Sequence, residues 1–578
     1  MTLPDIQRIL LLVGIAICAY LLVQAWVSDA EKRAQESDAG TVQSSPLSHD
    51  EVANPGSTPD PTDEQETLGD SAAGSESDVP DSTLIQTSEG SIVAQDTQSP
   101  DRALIQVTTP LYYVWIDPVG GDIVGVKLIQ YPVSLREPDT PMTLLDRRFD
   151  RTYVAQSGLT GADGFDQSQS RPTYRVSKTD WVLNQETLEV PLTYEQDGVQ
   201  ITKTFTFHET EYHVDVDYVV RNGMDREFSA IFFAQLKRDG GPVDGERGGF
   251  IRPPAYVGGA ATTNEKRYKR LKFKDLEKSP FREPVTGGWV AIVQHYFLSA
   301  WIPEQGVNNL LFANRDRQGN YRIGFTAPAQ VVPAGSTGNY GATFYVGPKH
   351  QRTLEALAAH LSLTVDYGFF WWLSMPMFKV LEWIQSLVQN WGLAIILMTI
   401  LIKTALFPLS QMSYKSMAKM RKLSPQIKRI QERFGNDRQR VGQEMMALYS
   451  KEKTNPLAGC LPMLLQMPVF FALYWVLIES VELRQAPFML WIRDLSAMDP
   501  LFVLPILNAG AMFLMQRLNP PMPDPMQQRV MMMMPIMFGF ICVFMPAGLV
   551  LYWVVNSLYS MAHHYWALKR AGAAHATT

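Results

Sequence analysis

Lys403 is a charge set in a stretch that gives it little to pair with. Trp391–Ser410, WGLAIILMTILIKTALFPLS, is almost wholly apolar, has the length of a bilayer-crossing helix, and carries Lys403 as its one full charge. Counting by three and four puts Thr399, Lys403 and Ser410 on one helical face beside Ile396, Ile400 and Phe407. An ammonium near the middle of such a helix costs about 2.5–3.5 kcal/mol on insertion scales. At roughly 10 Å below the helix end, its stem reaches the interface only in part. The other long apolar segments, Leu457–Ile478, Leu501–Leu514, Val530–Met545 and Ala547–Leu568, contain no Asp or Glu, and Glu479 stands only at the edge of the first. Their polar groups, Gln466, Asn508, Tyr552, Asn556 and Ser557, are neutral. A cation so placed suits one chemistry above others: it holds water inside the membrane and attracts a negative charge supplied from outside the chain. The alternative is a structural contact between helices.

The elements that must position Lys403 follow from how charge is distributed. The chain of 578 residues has net charge −7, but its charges are segregated. Residues 1–28 hold an apolar run behind Arg8 with no convincing cleavage site, which predicts an uncleaved membrane anchor. Residues 29–101 form an acidic tether; from Ala34 to Asp101 it has no Lys or Arg and too little apolar surface to offset the entropy of ordering. Residues 102–365 alternate with period two, as in Ile201–His208, Tyr212–Val220, Tyr321–Thr326 and Gly341–Val346, with turns at Pro118-Val119-Gly120-Gly121 and Asp239-Gly240-Gly241-Pro242. This predicts a large antiparallel sandwich without cysteine, hence without disulfides. Its histidines, His208, His213, His295 and His350, are scattered in sequence and show no metal-ligand spacing.

Residues 366–390, rich in Phe and Trp with Lys379, Glu382 and Gln385 on a narrower polar face, read as a helix lying in the membrane interface. Spans are expected at 391–410, 456–480, 500–517, 530–545 and 546–568, which with the anchor makes six. Residues 411–455 are strongly basic and helical on both sides of Gly435-Asn436, so they form a hairpin kept in the cytoplasm. That choice puts both termini, the loop 518–529 and the tail 569–578 inside, and the β domain and loop 481–499 outside. Within the hairpin, Met417, Met420, Arg421, Lys422, Lys428 and Arg429 are candidates to receive a nascent chain or ribosome. Methionine adapts to varied apolar surfaces and basic groups attract RNA phosphates without reading sequence. The chain has no GxxxxGK[ST] loop, and no cofactor or metal is expected.

These stretches resemble the YidC/Oxa/Alb family of membrane insertases. The likeness rests on Ser416–Leu423 (SMAKMRKL), Gln443–Leu448, Asn455–Phe470 (NPLAGCLPMLLQMPVF), Ser480–Leu490 (SVELRQAPFML), Trp491–Ser496, Asp524–Gln528 and Gly548–Tyr552, spread over most of 366–570. The resemblance implies a polytopic α-helical membrane protein of the Gram-negative type: five helices form the insertase core, and a large periplasmic β-supersandwich stands outside. It implies insertion and folding of newly made inner-membrane proteins, alone or beside the Sec translocon, with ribosome, signal-recognition targeting machinery and lipid as partners. It also implies a hydrophilic groove whose basic residue matches Lys403, with Thr399, Gln466, Asn508, Tyr552 and Asn556 lining it. Many members carry Arg at that position; Lys keeps the charge but is a compact point without Arg's bidentate fork. The sugar-binding proteins that share the outer domain's fold do not bring sugar chemistry with them. Two rivals remain: a solute transporter built on the intramembrane charge, and an envelope enzyme housed in the β domain.

Overall fold

In the computed structural model the described residues are 103–167, 171–241, 256–435, 437–452, 461–518 and 525–576. The expected anchor over 1–28 and tether over 29–101 lie outside them.

The β-rich segment forms two sheets. The larger has eleven strands, with Phe228–Arg238 central between Arg151–Thr160 and Tyr321–Thr326; the smaller has eight, running through Phe297–Pro303, Thr337–Pro348, His213–Asn222, Val199–His208 and Thr187–Gln196. Pairing is antiparallel except between Ile105–Thr108 and Asp180–Val182. Val199–His208 alternates buried and half-buried along its length, as period two requires of a strand with one face on a core. Tyr321–Thr326, where alternation was also expected, is buried at every position but the last. One apolar core draws on both sheets, with Trp289, Trp301, Phe205, Phe207 and Phe228 fully buried.

A polar knot ties the two sheets through that core. Arg171 donates to Asp122 and Asp166 and to the Ser157 carbonyl, the last at 2.9 Å. Lys203, from the opposite sheet, donates to the carbonyls of Gly121 at 2.7 Å and Gly120 at 3.0 Å. The turn expected at Pro118–Gly121 brings its backbone this close because Gly120 and Gly121 take positive φ, 74° and 61°, where a Cβ would strike Arg171 or Lys203. Charges taken out of water persist only when paired and hydrogen-bonded.

The helical part starts with α1, Trp371–Val388, which leaves Trp371, Trp372, Trp383 and Leu387 exposed. Seven helices follow: α2 Trp391–Ala405, α3 Phe407–Phe434, α4 Arg438–Lys451, α5 Leu461–Glu479, α6 Val503–Leu518, α7 Pro525–Cys542 and α8 Ala547–Ala576. Asn390 caps α2 by accepting from Leu393 N at 3.0 Å, and its amide donates to Phe488 O at 2.9 Å. The span expected over 391–410 is not one helix: α2 stops at Ala405 and a new helix starts at Phe407. Pro408 in the first turn of α3 lacks an N–H and suits a helix start, so the break falls just before it. Lys403 therefore sits in the last turn of α2, where the negative end of the helix dipole favours a cation. Among the described residues no helix is long and apolar enough to cross a membrane; α2, for one, has 15 residues, about 22 Å of rise.

The expected outer loop 481–499 is a packed connector. Val481 belongs to the β-domain core, whereas Leu483, Ala486, Ile492 and Leu495 belong to the helical core. His295 Nε2 donates to Ile478 O at 3.1 Å, and Arg484 and Gln485 donate to Pro132 O at 2.8 and 3.0 Å. Asp499 caps α6 by accepting from Leu504 N at 2.8 Å, and α8 begins against Leu495 and Ala497, whose carbonyls accept from Gly548 N and Ala547 N. Helix termini that would otherwise carry orphan groups are thus met by this connector.

Arg171→Met would leave Asp122 and Asp166 buried without their cation. We expect unfolding of the β domain, followed by denaturant titration of the whole chain, to lose about 3–5 kcal/mol; an unchanged midpoint would show that the knot is not structural.

Candidate functional site

Lys403 meets two helices that are distant in sequence. Its Nζ donates to Gln466 Oε1 on α5 at 2.8 Å and to Ser560 Oγ on α8 at 3.0 Å. Gln466 spends its amide hydrogens on α8, giving one to Tyr552 OH at 2.9 Å and one to Asn556 Oδ1 at 2.7 Å. Ser560 Oγ in turn donates to Asn556 O at 2.7 Å. Tyr552, Asn556 and Ser560 follow at intervals of four, so a single face of α8 presents all three. Among the described residues this network is neutral apart from the ammonium. Gln466 serves as the hub because a primary amide both accepts from the cation and donates twice.

Of the expected groove residues, Lys403, Gln466, Tyr552 and Asn556 come together in this network. Thr399 and Asn508 bond elsewhere. Thr399 is buried, and its hydroxyl donates back to Ile395 O at 2.6 Å within its own helix. Asn508 is fully buried where α6 meets α7 and α8: it accepts from Ser557 Oγ at 3.2 Å and points its amide at Cys542 Sγ, 3.5 Å away. Both sit among packed side chains, and a polar residue in such a place is met by local partners.

Ser560 escaped the sequence reading, although its spacing from Tyr552 and Asn556 is the signal that could have found it. So did an aromatic cluster beside the lysine. Phe407, the first residue of α3, stacks on His563 at 4.3 Å between ring centroids, with Trp566 at 6.1 Å. Together with Tyr559 and Ala562 these rings line an open hollow of about 260 Å³. Tyr559 OH lies 3.3 Å from Thr404 Oγ1, one residue after Lys403. The site thus places polar groups at one level and an apolar, aromatic hollow next to it.

In the basic hairpin, Lys428 and Arg429 are exposed on α3, and Leu423 and Ile427 are buried on another of its faces. Met417, Met420, Arg421 and Lys422 fall on the same helix, but their side chains lie outside the described residues.

The network sets a stability test. Gln466→Leu removes the acceptor of a part-buried ammonium together with two donors, and should cost about 1–3 kcal/mol, against about 0.5–1.5 kcal/mol for Tyr552→Phe. Thermal unfolding of the purified chain in detergent measures both. Adding Lys403→Met to Gln466→Leu should cost less than the sum of the single changes, since the partners act together.

Comparison with known proteins places the chain in a family. Residues 104–380 match the family model described as YidC periplasmic domain, and residues 383–573 match that described as 60Kd inner membrane protein. A protein of Pseudomonas aeruginosa named membrane protein insertase YidC is 45% identical over 99% of this chain and 99% of its own length. Its namesake in Stutzerimonas stutzeri is 46% identical over 98% and 99%. A solved structure described as an active YidC insertase with the first transmembrane domain resolved covers 80% of this chain and 92% of that one at 18% identity, with a TM-score of 0.36, too loose a superposition to carry an argument. On the identity of its full-length relatives and the two family models that together cover most of it, this chain belongs to the YidC family of membrane protein insertases.

Proposed function

We propose that this chain, a membrane protein insertase rather than an enzyme, moves the hydrophilic tails of newly made inner-membrane proteins across the bilayer through the polar site around Lys403. The observation that carries this reading is an ammonium whose partners among the described residues are all neutral. Gln466 and Ser560 take two of its three hydrogens, so one donor and the whole positive charge are available to an acidic group on a passing tail. In a medium of lower dielectric than water, that attraction is stronger than it would be in solution. A tail crossing pure hydrocarbon must desolvate every polar group it carries; a site of hydroxyls and amides part-way across shortens that path. The membrane potential then draws negative charge outward by about 2.3 kcal/mol per charge per 100 mV. The apolar segment that follows leaves sideways into lipid.

The arrangement in the membrane belongs to the same proposal. The outer faces of α2, α6 and α7 expose Leu397, Ile400, Ile506, Leu507, Ile536 and Phe540. An apolar surface of that extent suits lipid contact. The reading has six spans with both termini in the cytoplasm, α1 lying at the outer interface on its exposed tryptophans, and the β domain in the periplasm. The exposed Lys428 and Arg429 on α3 suit an electrostatic approach by a ribosome or targeting factor from the cytoplasm, and the Sec translocon is a further partner.

The test uses cells depleted of their own insertase and a short single-span substrate with an acidic outer tail, scored by protease access from outside. Lys403→Arg should support insertion and Lys403→Gln should fail. Equal insertion with Gln would remove the charge from the mechanism and leave hydration alone to carry it. A substrate whose tail lacks acidic residues should be far less sensitive to Lys403→Gln.

A further inference from the structure

The hairpin joining Val199–His208 to His213–Asn222 carries a cluster that the insertion site does not use. Pairing sets Phe207 opposite Val214 and Thr206 opposite Asp215, which brings His208 beside His213 at the hairpin mouth, their ring centroids 4.3 Å apart. Asp215 lies two residues beyond His213, so it projects from the same face of the strand. Its Oδ2 is 3.0 Å from His208 Nε2 and 3.8 Å from His213 Nε2, and the three groups offer ligand atoms that all lie within 4.8 Å of one another. A tetrahedral ion with bonds of about 2.0–2.2 Å holds its ligand atoms about 3.3–3.6 Å apart. The two measured separations bracket that spacing.

The surroundings are those of a ligand set. Thr343 Oγ1 donates to Asp215 Oδ1 at 2.9 Å, which fixes the carboxylate and leaves Oδ2 facing the imidazoles. Glu211 Oε2 lies 2.8 Å from His213 Nδ1 without the alignment of a hydrogen bond, so it adds a negative charge beside the ring rather than a fixed orientation. The side chains are partly shielded yet open to solvent, at 24% exposure for His208, 13% for His213 and 35% for Asp215. A plain ion pair accounts for the His208–Asp215 contact but leaves a second imidazole stacked on the first with the same carboxylate in reach. A shared cation uses all three groups at once.

We propose that His208, His213 and Asp215 bind a divalent transition-metal ion of the zinc type on the β domain. Two imidazoles and one carboxylate suit zinc over magnesium or calcium, which prefer all-oxygen shells, and leave a position for water or for a ligand from another molecule. Such an ion cross-links the hairpin and, through Thr343, fastens it to the strand Thr337–Pro348 that leads toward α1.

The experiment takes the full chain without a polyhistidine tag, purified in detergent, stripped with chelator and titrated with Zn²⁺ in excess Mg²⁺, with calorimetry and thermal unfolding as readouts. One equivalent should bind and raise the unfolding temperature. His208→Ala and Asp215→Asn should abolish both effects. Unfolding in chelator reports whether each variant is folded; should His208→Ala misfold, Asp215→Asn, which keeps the side-chain shape, decides alone. Failure of wild type to bind, or retention of wild-type affinity by Asp215→Asn, overturns the proposal.

Discussion

The physical constraint on which the helical part depends is the solvation of one ammonium by neutral groups. A carboxylate partner would have neutralised Lys403 and turned it into a strut. Instead an amide and a hydroxyl hold it, and each is held in turn by α8. The charge is oriented and partly solvated, and no described partner cancels it. That arrangement brings three helices far apart in sequence to a common level, because Gln466 can satisfy the lysine only if Tyr552 and Asn556 face it from the third helix. A cation kept ready in this way attracts an anionic group without selecting its shape.

The second constraint lies at the junction of the two folded parts. The connector after α5 places Val481 in one core and Leu483 in the other, two residues apart. Around it, backbone carbonyls at Ile478 and Pro132 accept from side chains of the opposite part. A segment that serves two cores fixes the ends of α5, α6 and α8, and those are the helices that carry Gln466, Asn508 and the Tyr552–Ser560 face. The helices that carry the polar network are thereby tied to the β domain through side-chain and backbone contacts.

Glycine works by proximity in both parts. At Gly120 and Gly121 it lets a turn bring carbonyls onto a buried lysine, and at Gly392 a Cβ would run into the Phe488 ring at the start of α2. In each case a backbone approaches a side chain more closely than any other residue permits.

How much could be read without coordinates depends on the range of the interaction. Period-two alternation, the charge-free apolar runs, the basic hairpin and the isolated Lys403 are local patterns, and from them came the β-rich domain, the helical C-terminal half and Lys403 as a candidate. The family motifs are equally local. The rest was decided by pairing across long separations. Nothing near Lys403 in sequence points to Ser560, 157 residues away; Thr399 looked like a groove residue by helical spacing, yet a hydroxyl can return its bond to its own helix. The span expected over 391–410 is interrupted at Leu406, just before Pro408, whose missing N–H suits the first turn of a new helix. His208 and His213 seemed scattered because sequence counts residues along the chain, whereas the antiparallel register folds that count back on itself and sets the two rings in contact. Sequence determined which groups the protein has and on which faces they stand; tertiary structure decided which of them meet, because a partner's identity is a property of the fold and not of the neighbourhood along the chain.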